Sequence, residues 1–238
     1  MNDVIEDIKN FFYLQKELYG SFRPLSVHLV ENLPESKEDV ATVDERNQSD
    51  RTHGMPNALE SFYHQIKECK KCPLGQTRTH FVFGVGNPDA DVMFIGEAPG
   101  YDEDQEGKPF VGRAGQLLNL MLQSIGLKRD DVFIANVLKC RPPNNRDPLP
   151  EEIEKCEPYL LRQIELISPR LIITLGRFAA ASLLRTTISL GKLREEIHSY
   201  NDVPLIVTYH PAALLRNPQL KSQAWVDLKK IKEFLENK

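Results

Sequence analysis

Four short apolar runs alternate along the chain with segments of helical periodicity. The runs cover residues 91–95, 131–136, 170–175 and 204–208. The helical patterns cover residues 113–125, 150–167, 177–185 and 221–236. Short apolar strands that alternate with helices favour a parallel sheet with helices on both faces. The sequence therefore predicts an α/β fold, in which a four-stranded parallel sheet is sandwiched by helices.

Three of the predicted strands end next to side chains that can carry chemistry. Glu97 comes shortly after the first run, Asn136 closes the second, and His210 comes shortly after the fourth. Ligands of open α/β sheets bind outside the carboxyl ends of the strands. We therefore expect a carboxylate, an amide and an imidazole to converge on one edge of the sheet.

The loop after the first run is too acidic for the usual phosphate-binding role. It contains Glu97, Asp102, Glu103 and Asp104, whereas a phosphate-binding loop offers backbone N–H groups and a lysine. The loop is therefore predicted to face a ligand other than phosphate. Asp102 and Asp104 are expected to lie in a solvated turn.

The first 55 residues differ in composition from the rest of the chain. Residues 2–20 place apolar side chains at helical spacing, and residues 32–56 are polar, as expected of a flexible linker. Residues 1–55 carry 11 acidic and 6 basic side chains, so the net charge of −4 originates there. We predict two parts: an N-terminal helix with an acidic linker over 1–55, and an α/β domain over 56–238. The helix either folds back on the domain, which we favour, or binds a partner.

Four cysteines form two groups along the chain. Cys69 and Cys72 form a C-x2-C pair, and Cys140 and Cys156 follow much later. No apolar run is long enough to span a membrane, and the N-terminus lacks a secretory pattern, so we expect a cytoplasmic protein. In that compartment four thiols indicate a metal or cluster site rather than disulfides. Zinc and iron–sulfur both suit four thiolates, and buried free thiols are the remaining alternative.

Three longer segments resemble the signature motifs of the family 4 uracil-DNA glycosylases, the iron–sulfur members of their superfamily. The segments are GEAPGYDEDQEGKPFVGRAGQLL, NVLKCRPPNNRDP and HPAALLRNP. The resemblance covers roughly residues 58–238. It implies a four-stranded parallel sheet, a [4Fe–4S] cluster on Cys69, Cys72, Cys140 and Cys156, and hydrolysis of the bond between uracil and deoxyribose in DNA to leave an abasic site.

The resemblance also implies which residues surround the base. Asn136 corresponds to the asparagine that reads uracil, Phe110 to the aromatic residue that stacks on it, and His210 to the active-site histidine. Ala98 and Pro99 correspond to positions that line uracil through backbone contacts. A flipped base needs such a pocket because uracil inside a duplex is stacked and paired.

Two carboxylates match acidic positions of the first motif. A carboxylate there can orient the attacking water and balance the positive charge that develops on the sugar. The role falls to Glu97, to Glu103 or to both, and the motif does not divide it between them.

Uracil-containing DNA, single- or double-stranded, is the partner that the resemblance implies. Leu214, Leu215 and Arg216 correspond to a loop that enters the minor groove and fills the space left by the flipped base. Further basic contacts to DNA are expected from Arg113 and Arg141, and also from Lys108, Lys139 and Arg146. We expect a monomer that associates with the nucleoid when it acts on DNA.

Two other functions stay open at this point. One is a DNA-binding or polymerase-accessory module without excision activity, and the other is a zinc-containing nucleotide hydrolase. The chain lacks the basic insertion KRRIH, which marks a related branch that becomes covalently trapped on abasic DNA. Ordinary turnover is therefore expected.

Overall fold

A computed structural model describes residues 56–237 of the protein. The predicted N-terminal helix and acidic linker, residues 1–55, lie outside this range. The division of the chain at residue 56 therefore stays a prediction, as does the role of the helix.

Six strands form a single sheet within the described residues. They are β1 (Val85–Gly86), β2 (Val92–Gly96), β3 (Phe133–Asn136), β4 (Leu171–Leu175), β5 (His198–Tyr200) and β6 (Val203–Thr208). Their order across the sheet is β1-β3-β2-β4-β6-β5. The four central strands run parallel and match the four predicted runs, so the predicted α/β class is confirmed.

The two outer strands, β1 and β5, pair antiparallel with their neighbours and were not predicted. They span two and three residues, and neither contains an apolar run. Such short edge strands leave few unpaired backbone groups, which limits pairing with other chains. The sheet is consequently mixed, with a parallel centre and antiparallel edges.

Helices cover both faces of this sheet. Those of the described residues are α1 (Pro56–Ile66), α2 (Leu74–Thr77), α3 (Tyr101–Glu106), α4 (Arg113–Ser124), α5 (Pro150–Ile167), α6 (Arg177–Leu184), α7 (Leu190–Leu193), α8 (Pro211–Arg216) and α9 (Lys221–Glu236). Short 3₁₀ turns occupy Arg129–Asp131, Pro143–Asn145 and Pro218–Leu220. None of these helices combines the length and the apolar character that crossing a bilayer requires.

The central strand β2 is buried along its whole length because its two faces pack into different cores. Met93 and Ile95 join a cluster that includes side chains of α1, α5 and α6. Val92 and Phe94 join a second cluster with side chains of α4 and α9. Burial of one such side chain contributes roughly 1.5–3 kcal/mol. The continuous apolar pattern of the strand thus reflects its place between two helical layers.

Candidate active site and cysteine site

A cavity of about 520 Å³ opens at the carboxyl ends of the central strands. Glu97, Asn136 and His210 all line it, as the positions of the strand ends predicted. Ala98, Pro99, Glu103 and Phe110 line it as well. The structure therefore brings the proposed base-binding and water-activating residues together in one space.

Gly96, the last residue of β2, allows Asn136 and Phe110 to pack closely against it. A Cβ atom at Gly96 would lie 2.3 Å from Oδ1 of Asn136 and 2.7 Å from Cζ of Phe110. Real Cβ atoms do not approach other heavy atoms so closely, so a side chain at Gly96 would force both groups to move. The glycine therefore leaves room for the Asn136 amide and the Phe110 ring beside the end of β2.

Asn136 is only 2 % exposed, yet its side chain lines the cavity. It ends β3 in register with Gly96, and the following N–H, of Val137, donates to the Gly96 carbonyl at 2.9 Å. Within residues 56–237 its side-chain amide makes no hydrogen bond. The amide therefore offers both a donor and an acceptor to a ligand in the cavity.

Phe110 has a left-handed backbone conformation, with φ of 52°. That conformation costs a non-glycine residue about 1–3 kcal/mol, so the surroundings must hold it. Gly115 is one reason it persists, since a Cβ there would lie 1.8 Å from the Phe110 carbonyl oxygen. The Phe110 ring lies 5.5 Å from the His210 ring, centroid to centroid, and the two planes are tilted by 32°. The two rings form adjoining parts of one wall.

The Glu103 carboxylate is bonded to the backbone of its own loop. Its Oε2 accepts the Gly100 N–H at 3.1 Å, and its Oε1 accepts those of Val111 at 3.1 Å and Gly112 at 3.3 Å. The two carboxylate oxygens thus accept hydrogen bonds from backbone segments that lie before and after Phe110 in the chain. This arrangement suits Glu103 to hold the loop in shape.

The Glu97 carboxyl group is half-buried and accepts no hydrogen bond from other described residues. Burial, together with the nearby carboxylate of Asp147, raises its pKa to about 7. A carboxyl group with a pKa near neutrality can take up a proton at physiological pH. Between the two candidates, the geometry therefore leaves Glu97 free for water activation.

His210 is held as a neutral imidazole at the start of α8. Its Nδ1 accepts the Ala212 N–H at 3.1 Å, which leaves the ring proton on Nε2. Burial lowers its pKa to about 4, and the positive charge of Arg216 acts in the same direction. The imidazole therefore remains an uncharged N–H donor over the physiological range.

Because Gly176, directly after β4, has no side chain, it leaves room for His210. A Cβ at Gly176 would lie 2.8 Å from Cβ of His210, and the glycine has φ of 90°. Its N–H donates to the Thr208 carbonyl at 2.8 Å. The end of β4 therefore fixes where the loop after β6 can run.

The structure corrects the prediction for one residue of the segment that was expected to enter DNA. Leu214 was expected to be exposed, but it is 2 % exposed and packs in the core with α4 and α9. It is an inward-facing residue of the short helix α8, so it cannot act as a wedge. Leu215 is half-buried, and Arg216 is exposed and lines the cavity.

Other charged residues differ in how well they match the prediction of DNA contact. Arg113 is exposed at the start of α4, and Lys108 is exposed as well. Arg141 donates to Oδ1 of Asn145 at 2.7 Å and lies 5.0 Å from the ring centroid of Tyr101, which is 57 % exposed. These groups lie where a polynucleotide could reach them.

Three charged residues do not behave as the sequence suggested. Lys139 is 0 % exposed and so cannot contact DNA. Arg146 lines the cavity, but its guanidinium is bound to Glu152 at 2.5 and 2.9 Å. Asp104, expected in a solvated turn, is 3 % exposed and accepts the Thr79 N–H at 2.9 Å. Each of these charged groups is engaged by other residues of the protein, which explains the difference.

The four cysteines line one small cavity together with Phe81 and Tyr159. All four are free thiols. Among the described residues, no three His, Cys, Asp or Glu side chains form a group suited to a single metal ion. The candidate donor set is nevertheless the four cysteine sulfur atoms, because all four cysteines line the same cavity.

Hydrogen-bond donors from several elements surround these sulfur atoms. The Arg78 guanidinium donates to Sγ of Cys140 at 3.2 Å, and the Tyr159 hydroxyl donates to Sγ of Cys69 at 3.2 Å. Such donors stabilise thiolates and are typical of the shell around a thiolate-bound centre. The four sulfur atoms and their donors therefore fit an iron–sulfur cluster.

Several residues of these sites escaped the sequence analysis. Asp147, Arg177 and Phe178 line the large cavity, and Arg78 and Tyr159 flank the cysteines. Asp147 lies at the end of NVLKCRPPNNRDP, so its motif was a usable signal. The other four stand alone in the sequence, and only the fold brings them to these sites.

Comparison with known proteins agrees with this geometry. The model of the Uracil DNA glycosylase superfamily matches residues 83–229. A type-4 uracil-DNA glycosylase of Archaeoglobus fulgidus is 53% identical over 185 residues, which is 74% of this chain and 93% of that protein. The type-4 enzyme of Sulfurisphaera tokodaii is 50% identical over 75% of this chain and 85% of that protein. The type-4 enzyme of Thermotoga maritima is 44% identical over 74% of this chain and 94% of that protein. The chain therefore belongs to the uracil-DNA glycosylase superfamily and, within it, to the type-4 family.

Proposed function

We propose that this protein is a uracil-DNA glycosylase that removes uracil from DNA and leaves an abasic site. The observation that carries the proposal is the convergence of Glu97, Asn136 and His210 on one cavity. Membership of the type-4 family supports the same reaction. The protein thus acts in DNA repair as a hydrolase of the N-glycosidic bond.

Recognition of the base falls to Asn136 and Phe110. The Asn136 amide donates to O4 of uracil and accepts from its N3–H, whereas cytosine presents the opposite pattern at those positions. The Phe110 ring stacks on the face of the base, and such stacking contributes roughly 1–3 kcal/mol. Ala98 and Pro99 line the pocket through their backbone. Together these contacts select a flipped uracil.

Cleavage of the bond uses His210 and Glu97. Water attacks C1′ of the deoxyribose, the C1′–N1 bond breaks, and the bonding electron pair leaves with uracil as an anion. The Nε2–H of His210 donates to O2, where the negative charge develops. The Glu97 carboxylate orients the water, takes its proton and balances the positive charge on the sugar. Glu103 holds the loop that carries Phe110 and does not act on the water.

The four cysteines would hold a [4Fe–4S] cluster, which supplies structural cross-linking when it is bound. Cys69 and Cys72 follow α1, Cys140 follows β3, and Cys156 lies in α5. Their sulfur atoms, with donors already in place, support this assignment. The cysteines thus join three elements around the loop that begins at Asn136.

DNA contacts come from groups at the mouth of the cavity. Leu215 is the remaining candidate for the wedge, and Arg216 follows it at the rim. Arg113 and Arg141 bind phosphates, since basic side chains supply most of the affinity for DNA. The enzyme acts on uracil-containing DNA as a monomer in the cytoplasm, where the nucleoid is its target.

An oligonucleotide with one uracil tests the proposed reaction. After incubation and alkali treatment, the strand is expected to break at the uracil, and a matched strand with cytosine should stay intact. Asn136→Asp should cut uracil more slowly and lose the discrimination against cytosine. Binding of the uracil strand without breakage would contradict the proposal and support the accessory module.

A further inference from the structure

Lys139 is a buried ammonium group between the candidate base pocket and the cysteine site. It is 0 % exposed, which is unusual because lysine is almost never fully buried unless it is paired. Its Nζ donates to the Asn136 carbonyl oxygen at 2.8 Å and to Oε1 of Gln163 at 2.5 Å. The Gln163 amide in turn donates to the Phe83 carbonyl oxygen at 2.9 Å.

This network replaces strand pairing that the sheet does not provide. β1 pairs with β3 only at Phe133 and Ile134, so it ends two residues before Asn136. On the opposite side, β2 remains bonded to the turn, because Val137 N–H and Leu138 N–H donate to the carbonyls of Gly96 and Glu97. The Asn136 carbonyl therefore receives from Lys139 the hydrogen bond that a longer β1 would have supplied.

The backbone of Lys139 meets the cysteine site directly. Its N–H donates to Sγ of Cys156 at 3.3 Å, and Cys140 is the next residue. A buried cation is costly unless polar or anionic groups surround it. The thiolates of a cysteine-bound centre are such anionic groups, and the Asn136 carbonyl is such a polar group.

We propose that Lys139 is a positioning residue that fixes Asn136 for base reading and couples it to the cysteine site. The inference rests on the proposed function, since it assumes that Asn136 reads uracil. Loss of the ammonium group leaves the Asn136 carbonyl without this partner, so the peptide after Asn136 is held only by the Val137 N–H bond to Gly96. The side-chain amide of Asn136 can then shift from its position facing the base. A displacement of about 1 Å in such a group can lower the rate about 10²-fold.

A double-mutant cycle of Lys139→Met and Asn136→Ala tests the inference. Methionine keeps the length and apolar stem of lysine and removes only the charge and its donors. Lys139→Met is expected to lower kcat for uracil excision by about 10-fold to 100-fold. In the Asn136→Ala background the same change should alter kcat by less than about twofold, because the group to be positioned is already gone.

If Lys139→Met lowered kcat through a general loss of structure, the double-mutant cycle would give a different result. The effects of the two changes on kcat would then multiply, and that outcome overturns the inference while leaving the proposed function in place. Asn136→Ala at the wild-type rate would instead overturn the proposed role of Asn136. Lys229→Met makes the same change at an exposed lysine of α9, so it serves as the matched control and should retain kcat.

The coupling to the cysteine site has a readout of its own. Removal of a nearby positive charge disfavours reduction of an iron–sulfur centre. The reduction potential of the iron-loaded Lys139→Met protein should therefore fall below that of the wild type, and an unchanged potential rejects the coupling. If Lys139→Met does not fold, Gln163→Met enters the same cycle, with the same non-additive result expected and independent effects again overturning the inference.

Discussion

At the scale of single residues, burial has opposite chemical consequences for two groups of the same cavity. Burial raises the pKa of the Glu97 carboxyl to about 7, so this group can change its protonation near neutral pH. Burial lowers the pKa of the His210 imidazole to about 4, so that group stays neutral. One side chain is thereby suited to accept a proton and the other to donate a fixed hydrogen bond.

The Glu97 pKa predicts how the excision rate depends on pH. The active form is the carboxylate, so kcat/KM should rise through about pH 7 and fall roughly tenfold per pH unit below pH 6. His210 adds no further limb between pH 5 and 9, because its pKa is about 4. Rates measured with a uracil oligonucleotide over this range check the profile, and a flat profile would exclude Glu97 as the base.

The Glu97→Gln variant provides the control for this profile and a second measurement. It should lose both the rising limb and most of the rate.

The folded-state pKa of Glu97 lies above the ordinary value of 4.5, so the folded protein binds the proton more tightly. The stability from this group is present below pH 4.5 and is lost as pH rises through about 7. Measured by urea unfolding, the free energy of unfolding of Glu97→Gln should therefore increase relative to that of the wild type between pH 4 and pH 8.

At the scale of elements, the central strands could be predicted because each is a continuous apolar run between two helical layers. The edge strands could not, since β5 consists of His-Ser-Tyr and depends on β6 for its pairing. The same limit applies to Leu214. Its motif indicated contact with DNA, but the packing of α8 against α4 decided that it faces inward. Local pattern thus predicts an element, and its neighbours decide which face is buried.

The turn between β4 and α6 should be sensitive to the addition of one methyl group. Gly176→Ala would place a Cβ 2.8 Å from Cβ of His210, at a φ of 90°. We expect a loss of about 1–3 kcal/mol in the free energy of unfolding and a lower excision rate, because His210 must move. Urea unfolding and the oligonucleotide assay measure the two effects.

Gly126→Ala is the matched control for the turn. Gly126 also has a positive φ, of 79°, but a Cβ there meets nothing within 4 Å. It should therefore lose stability through backbone strain alone and keep the wild-type rate of excision. Equal loss of activity in both variants would show that the Gly176 effect does not act through His210.

At the scale of the whole molecule, the cysteine site and the candidate active site share the segment from Asn136 to Cys140. The cysteine spacing pointed to a metal or cluster site, but it could not show that Lys139 lies between that site and the pocket. Lysine in a polar motif is ordinarily a surface residue, and only burial beneath α5 reveals its other role. The sequence therefore located both sites separately, and the fold reveals the connection between them.

Removal of one cysteine tests that connection from the other side. Cys140→Ala should lower the iron content and the soluble yield, since one of four sulfur ligands is lost. The excision rate per soluble molecule should fall as well, because Cys140 ends the segment that begins at Asn136. Iron analysis and visible absorbance check the first effect. Full retention of iron would remove Cys140 from the proposed ligand set.

The last prediction concerns residues 1–55, which lie outside the family match that begins at residue 83. They carry 11 acidic and 6 basic side chains, so their removal changes the net charge from −4 to +1. A less negative protein meets DNA more often, and the effect is screened by salt because the Debye length falls to about 8 Å at 0.15 M. The 56–238 variant should therefore show a higher kcat/KM than the full chain at low salt and the same value at high salt. A loss of activity at both salt concentrations would mean that the first 55 residues form part of the catalytic body.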